Sequence, residues 1–451
     1  MAKSLKYIAA EGTFWISSST IIIKIIGLFS VFFVLHALAV EQYGMLELAL
    51  SIPMLLSIFL LPGLDTLVIA DMGAFLGRGE EREARATLFS FMRLQYLLAV
   101  AAWALVFFGA SFFTEIYPIS IQYVHAASFL FLLGPLRTTY AVLFRAQLKF
   151  FLLSFISFLE ELFKFTIVAF LFFTGDLGVL DVITAIAAAQ FVTIVVLAIP
   201  FVRSWNQLER GGEPQPHPWL SLLHERGIWS ILSVYAGNVG KAARLWVIQR
   251  ILGAEAVGLY AVATGLMGHT MALAPLSTVV APILPQFVHD LRRFATIFSK
   301  AIKYQLIAYA TIGVIGAVVF PPILVQLFPD YAPAMPLFQI MLVGLLPIAV
   351  LSVVTPAFSA LKLQKNFFIS VLIKDVVSIV AVWTLITLFG IWGVAYEYVL
   401  SQTFYVYERL RRLRGFVPQL QGMSSRIFSF DEDDRLILRK VGEFVGKIIR
   451  I

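Results

Sequence analysis

The chain contains no cysteine, which excludes disulfides, cysteine-ligated metal and a thiol nucleophile. Charge is scarce as well. Asp, Glu, Lys and Arg make up 14% of its 451 residues, where globular domains carry roughly a quarter. The six histidines are scattered, with no H-E-x-x-H pair, phosphate-cradling P-loop or nucleophile elbow. Nothing in this pattern supports an enzyme, a metal centre or a cofactor.

What fills the space is hydrocarbon. Hydrophobic residues account for 60% of the chain, and its mean hydropathy is +0.89. Apolar runs of about 20 residues recur from end to end, long enough to cross a bilayer as helices. They do not alternate as barrel strands would. The expectation is an all-α membrane protein with twelve transmembrane helices, near 13–38, 45–71, 88–112, 123–144, 150–173, 181–202, 227–251, 258–284, 302–328, 336–361, 367–389 and 391–408. The long first run lacks a cleavage site of small residues and is expected to stay on as a helix.

The formal charge of +7 follows from topology rather than from nucleic acid. Arg and Lys crowd into Arg78–Arg85, Arg145–Lys149, Arg203–Arg226, His289–Lys300, Lys362–Lys365 and the tail from Arg409. The alternate connections, Ala39–Gly44, Phe113–Gln122, Thr174–Leu180, Gly253–Val257, Pro329–Pro333 and Gly390, hold neither residue. Cytoplasmic loops carry the basic excess, so both termini are expected inside the cytoplasmic (plasma) membrane.

A repeat runs through the chain. Pairing residue n with n+214 matches Trp15 with Trp229, Ser19 with Ser233, Glu41 with Glu255, Gly44 with Gly258 and Ala49 with Ala263. These matches join span one to two and span seven to eight. Six spans per half is an even number, so the two six-helix repeats are parallel, a plan found in transporters. The expected units are 1–202, a linker at 203–226 with the helix-breaking run Gly211-Gly-Glu-Pro-Gln-Pro-His-Pro, 227–414, and an amphipathic tail at 415–451. In that tail Leu438, Val441, Val445 and Ile448 fall at helical spacing.

Ionisable residues at bilayer depth usually face a bundle interior or a water-filled cavity. Ser17, Thr20, Lys24 and Gly27 share one face of the first helix. Asn238, Lys241 and Arg244 make a similar stripe on the seventh, and Arg137 sits beside Pro135 in the fourth. Lys24, Lys241, Arg137 and Arg244 are therefore the candidate ligands of a polyanion, with pyrophosphate the natural guest. Asp65, Glu160, Asp375 and Glu397 are candidate sites for a coupling ion, H+ or Na+. Structural pairing is the competing reading: Glu160 with Lys164 four residues on, Asp65 with Lys24, and Lys374 and Asp375 with other helices. His269, mid-span in the eighth helix, fits a hydrogen-bonded structural role or a proton relay. Arg93 and Lys303, near span ends, fit snorkelling.

The sequence resembles the polysaccharide-exporter branch of the MOP superfamily, the Wzx-type flippases. The resemblance rests on Glu41-Gln-Tyr-Gly-Met-Leu-Glu-Leu-Ala, Leu252-Gly-Ala-Glu-Ala-Val-Gly-Leu-Tyr-Ala-Val-Ala, Leu327-Phe-Pro-Asp-Tyr-Ala-Pro-Ala and Ala360-Leu-Lys-Leu-Gln-Lys-Asn, in that order. It implies two lobes in a V around a central cavity, as in the related MATE proteins. It also implies alternating-access transport of a lipid-linked oligosaccharide, with cavity cations on the lipid pyrophosphate and membrane lipid around it. The alternative function is a MATE-type cation-coupled antiporter for drugs or small solutes, built on an acidic site.

Overall fold

The computed structural model describes residues 5–116, 119–208, 227–273 and 284–421. The described part is helical. In chain order it holds α1 (Leu5–Ala37), α2 (Val40–Leu55), α3 (Leu64–Gly77), α4 (Glu81–Phe108), α5 (Ala110–Ile116), α6 (Ile121–Ala146), α7 (Phe150–Thr174), α8 (Val179–Val196) and α9 (Ala198–Asn206). It continues with α10 (Gly227–Leu252), α11 (Ala254–Ala272), α12 (Leu291–Leu327), α13 (Ala334–Leu342), α14 (Leu345–Ala360), α15 (Gln364–Phe389) and α16 (Trp392–Phe416). Most of the expected linker and tail lies outside the described residues.

By length and composition alone, seven helical segments among the described residues can cross a membrane, and the bent pair α13–α14 makes an eighth. The twelve expected spans are compatible with this architecture. Among the remainder, α7, α10 and α16 carry charges mid-helix: Glu160, Glu161 and Lys164 on the first, Lys241 and Arg244 on the second, Glu397 on the third. Such charges mark functional positions when they occur at bilayer depth.

The second expected span, 45–71, is not one helix. α2 contains Pro53 and stops at Leu55, a 3-10 turn covers Ser57–Leu60, and α3 restarts at Leu64. Leu61 and Gly63 between them have positive φ, 47° and 88°. The Pro62-Gly63 dipeptide is the cause: proline cannot continue the ladder and glycine tolerates the left-handed turn. Backbone opened inside a membrane must find new partners. Gln95 of α4 donates to the Leu60 carbonyl (2.9 Å) and Ser230 of α10 to the Gly63 carbonyl (3.3 Å). The tenth span is likewise bent, by 54° between α13 and α14.

The offset of 214 aligns whole elements. Shifted α2 gives 254–269 against Ala254–Ala272, and shifted α7 gives 364–388 against Gln364–Phe389. Shifted α6 gives 335–360, the run covered by α13 and α14, and shifted α8 gives 393–410, inside α16. α2 and α11 cross at the matched glycines. A Cβ on Gly44 would run into the carbonyl of Ala254, and one on Gly258 into that of Val40. Val40 and Ala254 are themselves 214 apart, so the contact is reciprocal. A two-fold axis between the helices produces this self-complementary arrangement.

The halves close together on the side whose loops lack Arg and Lys. A buried apolar cluster there joins Leu35, Val40 and Leu48 of one half to Val257, Leu324 and Tyr331 of the other. The Tyr331 hydroxyl donates to the Leu38 carbonyl (2.9 Å). Toward the basic side there are two apolar clusters, one around α12, α14 and α16 and another around α3, α4 and α6 that Ile231 of α10 joins from the second half.

Candidate functional site

The intramembrane charges divide into those already paired and those left over. On α7, Glu160 accepts from Arg137 Nε of α6 (2.5 Å), with both side chains half-buried. Lys164 pairs with Glu161 (2.7 Å), not with Glu160 as the four-residue spacing suggested. Geometry decides this: Arg137 approaches Glu160 from the neighbouring helix, leaving the three-residue pair on α7 free to form.

The second half has a deeper cluster. Arg244 of α10 is buried and pairs with the wholly buried Glu397 of α16 (3.1 Å). It donates to Ser378 of α15 (2.5 Å) and hydrogen-bonds Tyr260 of α11. Ser378 also donates to Glu397. Asp375 pairs with adjacent Lys374, and its carboxyl lies against Gly240, where a Cβ would meet it at 2.5 Å. A buried charge costs much unless paired and hydrogen-bonded, and four helices cooperate here to supply the partners. At the basic end of the same half, Arg409 stacks on Phe367 (4.1 Å) and Tyr405 (3.9 Å) and donates to Thr355 (2.5 Å). It clamps α14, α15 and α16 together.

Glu161 and Asp375 are 214 apart. Glu161 packs against α1 at Gly27, where a Cβ would lie 3.0 Å from its Oε1, as Asp375 packs against α10 at Gly240. Each repeat thus inserts an acid from its fifth span against a glycine of its first. The sequence reading singled out Asp375 but not Glu161, although carrying the offset along the chain finds both.

Lys24, Lys241 and Asp65 make no ion pair or side-chain hydrogen bond among the described residues. The expected Lys24–Asp65 pair does not form. Asp65 lies in the first turn of α3, where the helix dipole favours a carboxylate. Both lysines are exposed within their helices. Lys24 acts electrostatically on His269 of α11, as does Glu161. The two lysines are not repeat mates: Lys24 corresponds to Asn238, and Lys241 to Gly27.

His269 also stands at the edge of a cavity of about 380 Å³ between α1, α11 and α12. Leu28, Phe32, Gly265, Phe320, Leu324 and Phe328 line it. The charged face of α1 therefore passes, one turn beyond Lys24, into an apolar wall.

No curated protein sequence matches the chain. Solved structures do. An inward-facing multidrug resistance MATE family transporter of the MOP superfamily superposes with a TM-score of 0.70 at 14% identity, covering 91% of this chain and 98% of that one. The lipid II flippase MurJ, in an inward closed conformation, gives 0.67 at 15% identity over 96% and 97%. A MOP superfamily transporter from Pyrococcus furiosus Vc1 gives 0.69 at 12% identity over 91% and 96%. These likenesses establish the fold, a multi-pass bundle of membrane helices. The family described as "Polysaccharide biosynthesis protein" matches residues 9–288, a stretch running from α1 past α11 and so including the broken second span and the α2–α11 crossing. The chain belongs to that polysaccharide biosynthesis family.

Proposed function

We propose that the protein is a flippase that moves a lipid-(pyro)phosphate-linked oligosaccharide across the cytoplasmic membrane by alternating access. The supporting observation is that Lys24 and Lys241, at mid-span, make no ion pair among the described residues, while neighbouring acids take Arg137, Lys164, Lys374 and Arg244. A charge at mid-membrane costs about 2.5–3.5 kcal/mol on insertion scales. Water offsets that cost in the empty protein and phosphate in the loaded one. Lys24 and Lys241 bind the phosphates, Arg137 reaches them when it leaves Glu160, and Arg244 holds α10 in place behind Lys241. The family match and the likeness to a lipid II flippase favour this reading.

The halves 1–202 and 227–414 rock about the α2–α11 crossing, with both termini in the cytoplasm. Direction comes from differential affinity of the two states, coupled to an ion or to consumption of the product outside. Asp65, the candidate acid without a cation partner among the described residues, is the coupling candidate. The test is surface glycan in a complemented null strain. Lys24→Ala and Lys241→Ala lose export with membrane abundance unchanged, and Arg restores part of it because charge survives a change of geometry. Full export by the double alanine variant removes the lysines from the mechanism. An equal loss on neutralising Asp65 alone favours the alternative reading, a cation-coupled antiporter on the fold shared with the multidrug resistance MATE transporter.

A further inference from the structure

The two-fold repeat should build two equivalent seams between the halves, and it does not. One seam lies between α2 and α10. It is sealed by polar bonds: Trp246 Nε1 donates to Ser51 Oγ (2.9 Å), and Asn238 Nδ2 donates to Ser57 Oγ (3.1 Å). Moving each residue by 214 gives the other seam, between α11 and α1. Trp246 becomes Phe32 and Ser51 becomes Gly265, while Asn238 becomes Lys24 and Ser57 becomes Met271. Neither replacement pair can form a side-chain hydrogen bond of the original kind. The seam meets at its outer end, where the rings of Phe32 and His36 pack on Phe328 (5.4 and 4.6 Å). Beside Phe32 and Gly265, at the place of the missing bond, stands the cavity of about 380 Å³.

We propose that this open seam is the binding chamber for the first isoprene units of the substrate's polyprenyl tail, with the phosphate held at Lys24. This rests on the flippase reading and adds a tail subsite to it. The chamber walls are apolar apart from Tyr43 and His269. Leu28 is one helical turn from Lys24, so the cation and the apolar wall share a face of α1. His269, which feels the Lys24 charge, marks the boundary. An amphiphile with an anionic head joined directly to a branched hydrocarbon matches that junction. Leu28, Phe29, Ile323 and Leu327 line the chamber yet remain about half exposed, so it opens sideways toward the bilayer. The rest of a long tail leaves by that opening. Its volume falls within the range of small-ligand pockets, about 300–1,000 Å³, room for the proximal part of the tail only.

The repeat itself supplies the test. Phe32→Trp with Gly265→Ser rebuilds in this seam the pair that seals the other. Gly265→Phe fills the chamber directly, since a Cβ at Gly265 meets nothing within 4 Å. The probe is farnesyl pyrophosphate carrying a diazirine on its first isoprene unit, bound to the full chain in nanodiscs. Photolabel is expected on the α1, α11 and α12 walls. Both variants should lose at least tenfold in probe affinity, about 1.4 kcal/mol, and should export poorly, while inorganic pyrophosphate binds as in the wild type. Label on other helices overturns the chamber. So does wild-type export by both variants, or equally strong labelling of the walls by a diacyl phospholipid probe. If Lys24→Ala abolishes export while both seam variants export normally, the flippase reading stands and the chamber falls. If pyrophosphate does not bind and Lys24→Ala exports normally, both fall.

Discussion

Removing Arg244 should be the most destabilising single change among the intramembrane cations. Glu397 is wholly buried, and its charged partner is the Arg244 guanidinium 3.1 Å away. Arg244→Ala leaves that carboxylate with the Ser378 hydroxyl alone, and it also opens the contact with Tyr260. Breaking one side of a buried ion pair costs about 3–5 kcal/mol, because the other charge stays behind uncompensated. Arg137 provides the internal comparison. Its side chain is 38% exposed and that of Glu160 21%, so the pair is far less buried than Arg244–Glu397, and Arg137→Ala should cost correspondingly less. The third variant joins Arg244→Met to Glu397→Gln. Replacing both charges by neutral groups of similar volume is often neutral for stability, and Gln still accepts the Ser378 proton. Thermal unfolding in detergent, followed by fluorescence-detected gel filtration, ranks the three. The expected order of stability is wild type, near the double variant and Arg137→Ala, with Arg244→Ala well below. If Arg244→Ala melts with Arg137→Ala, or the double variant melts no higher than Arg244→Ala, then pairing does not explain the cluster.

Three further outcomes follow from the same geometry. Gly44→Ala and Gly258→Ala each drive a Cβ into an opposing carbonyl and should each lower the melting temperature, whereas Gly73→Ala, with nothing within 4 Å, should not. Gln95→Leu should cost about 1–3 kcal/mol, because it orphans the Leu60 carbonyl at the break in the second span, and a melting temperature equal to wild type would count against that role. Because the chain has no cysteine, single cysteines at Glu115 and Arg210 report topology without background; an impermeant maleimide should reach them from opposite sides, and labelling from the same side would refute the loop assignment.

The sequence displayed the membrane class, the helix positions and the repeat, because bilayer thickness and helix periodicity impose long-range patterns on composition. It displayed the broken second span less plainly. Pro62-Gly63 lay in view, but in a strongly apolar stretch the hydropathy of 45–71 outweighed the local turn signal. Pairing was least legible. Glu160 has Lys164 four residues on, yet its partner came from another helix, because the crossing of α6 and α7 brings Arg137 to it. Arg244 and Glu397 are separated by more than 150 positions, and nothing in the spacing joins them. Which charges share a helix face is a property of the sequence. Which charges meet across helices is a property of the packing.

That distinction bears on function. By composition, the candidate acids match the candidate cations in number, so charge alone does not separate a phosphate-binding cavity from a cation-binding one. After folding, Arg137, Lys164, Lys374 and Arg244 are engaged by Glu160, Glu161, Asp375 and Glu397. The candidates left unpaired among the described residues are Lys24, Lys241 and Asp65. The acids of spans five, eleven and twelve thus neutralise arginines and lysines of the scaffold, and among the candidates left over the two lysines outnumber the one acid. On the proposed reading this excess selects an anionic head group. The repeat then shows how a symmetric fold presents it on one side: the position that is Asn238 in the sealed seam is Lys24 in the open one. One substitution exchanges a bond between halves for a free charge beside an apolar chamber. Changing Lys24 to Asn, together with Met271→Ser, would restore the sealing pair of the other seam. The expected result is a well-folded protein that no longer exports glycan. Normal export by that variant would mean that neither the charge nor the opening matters to transport.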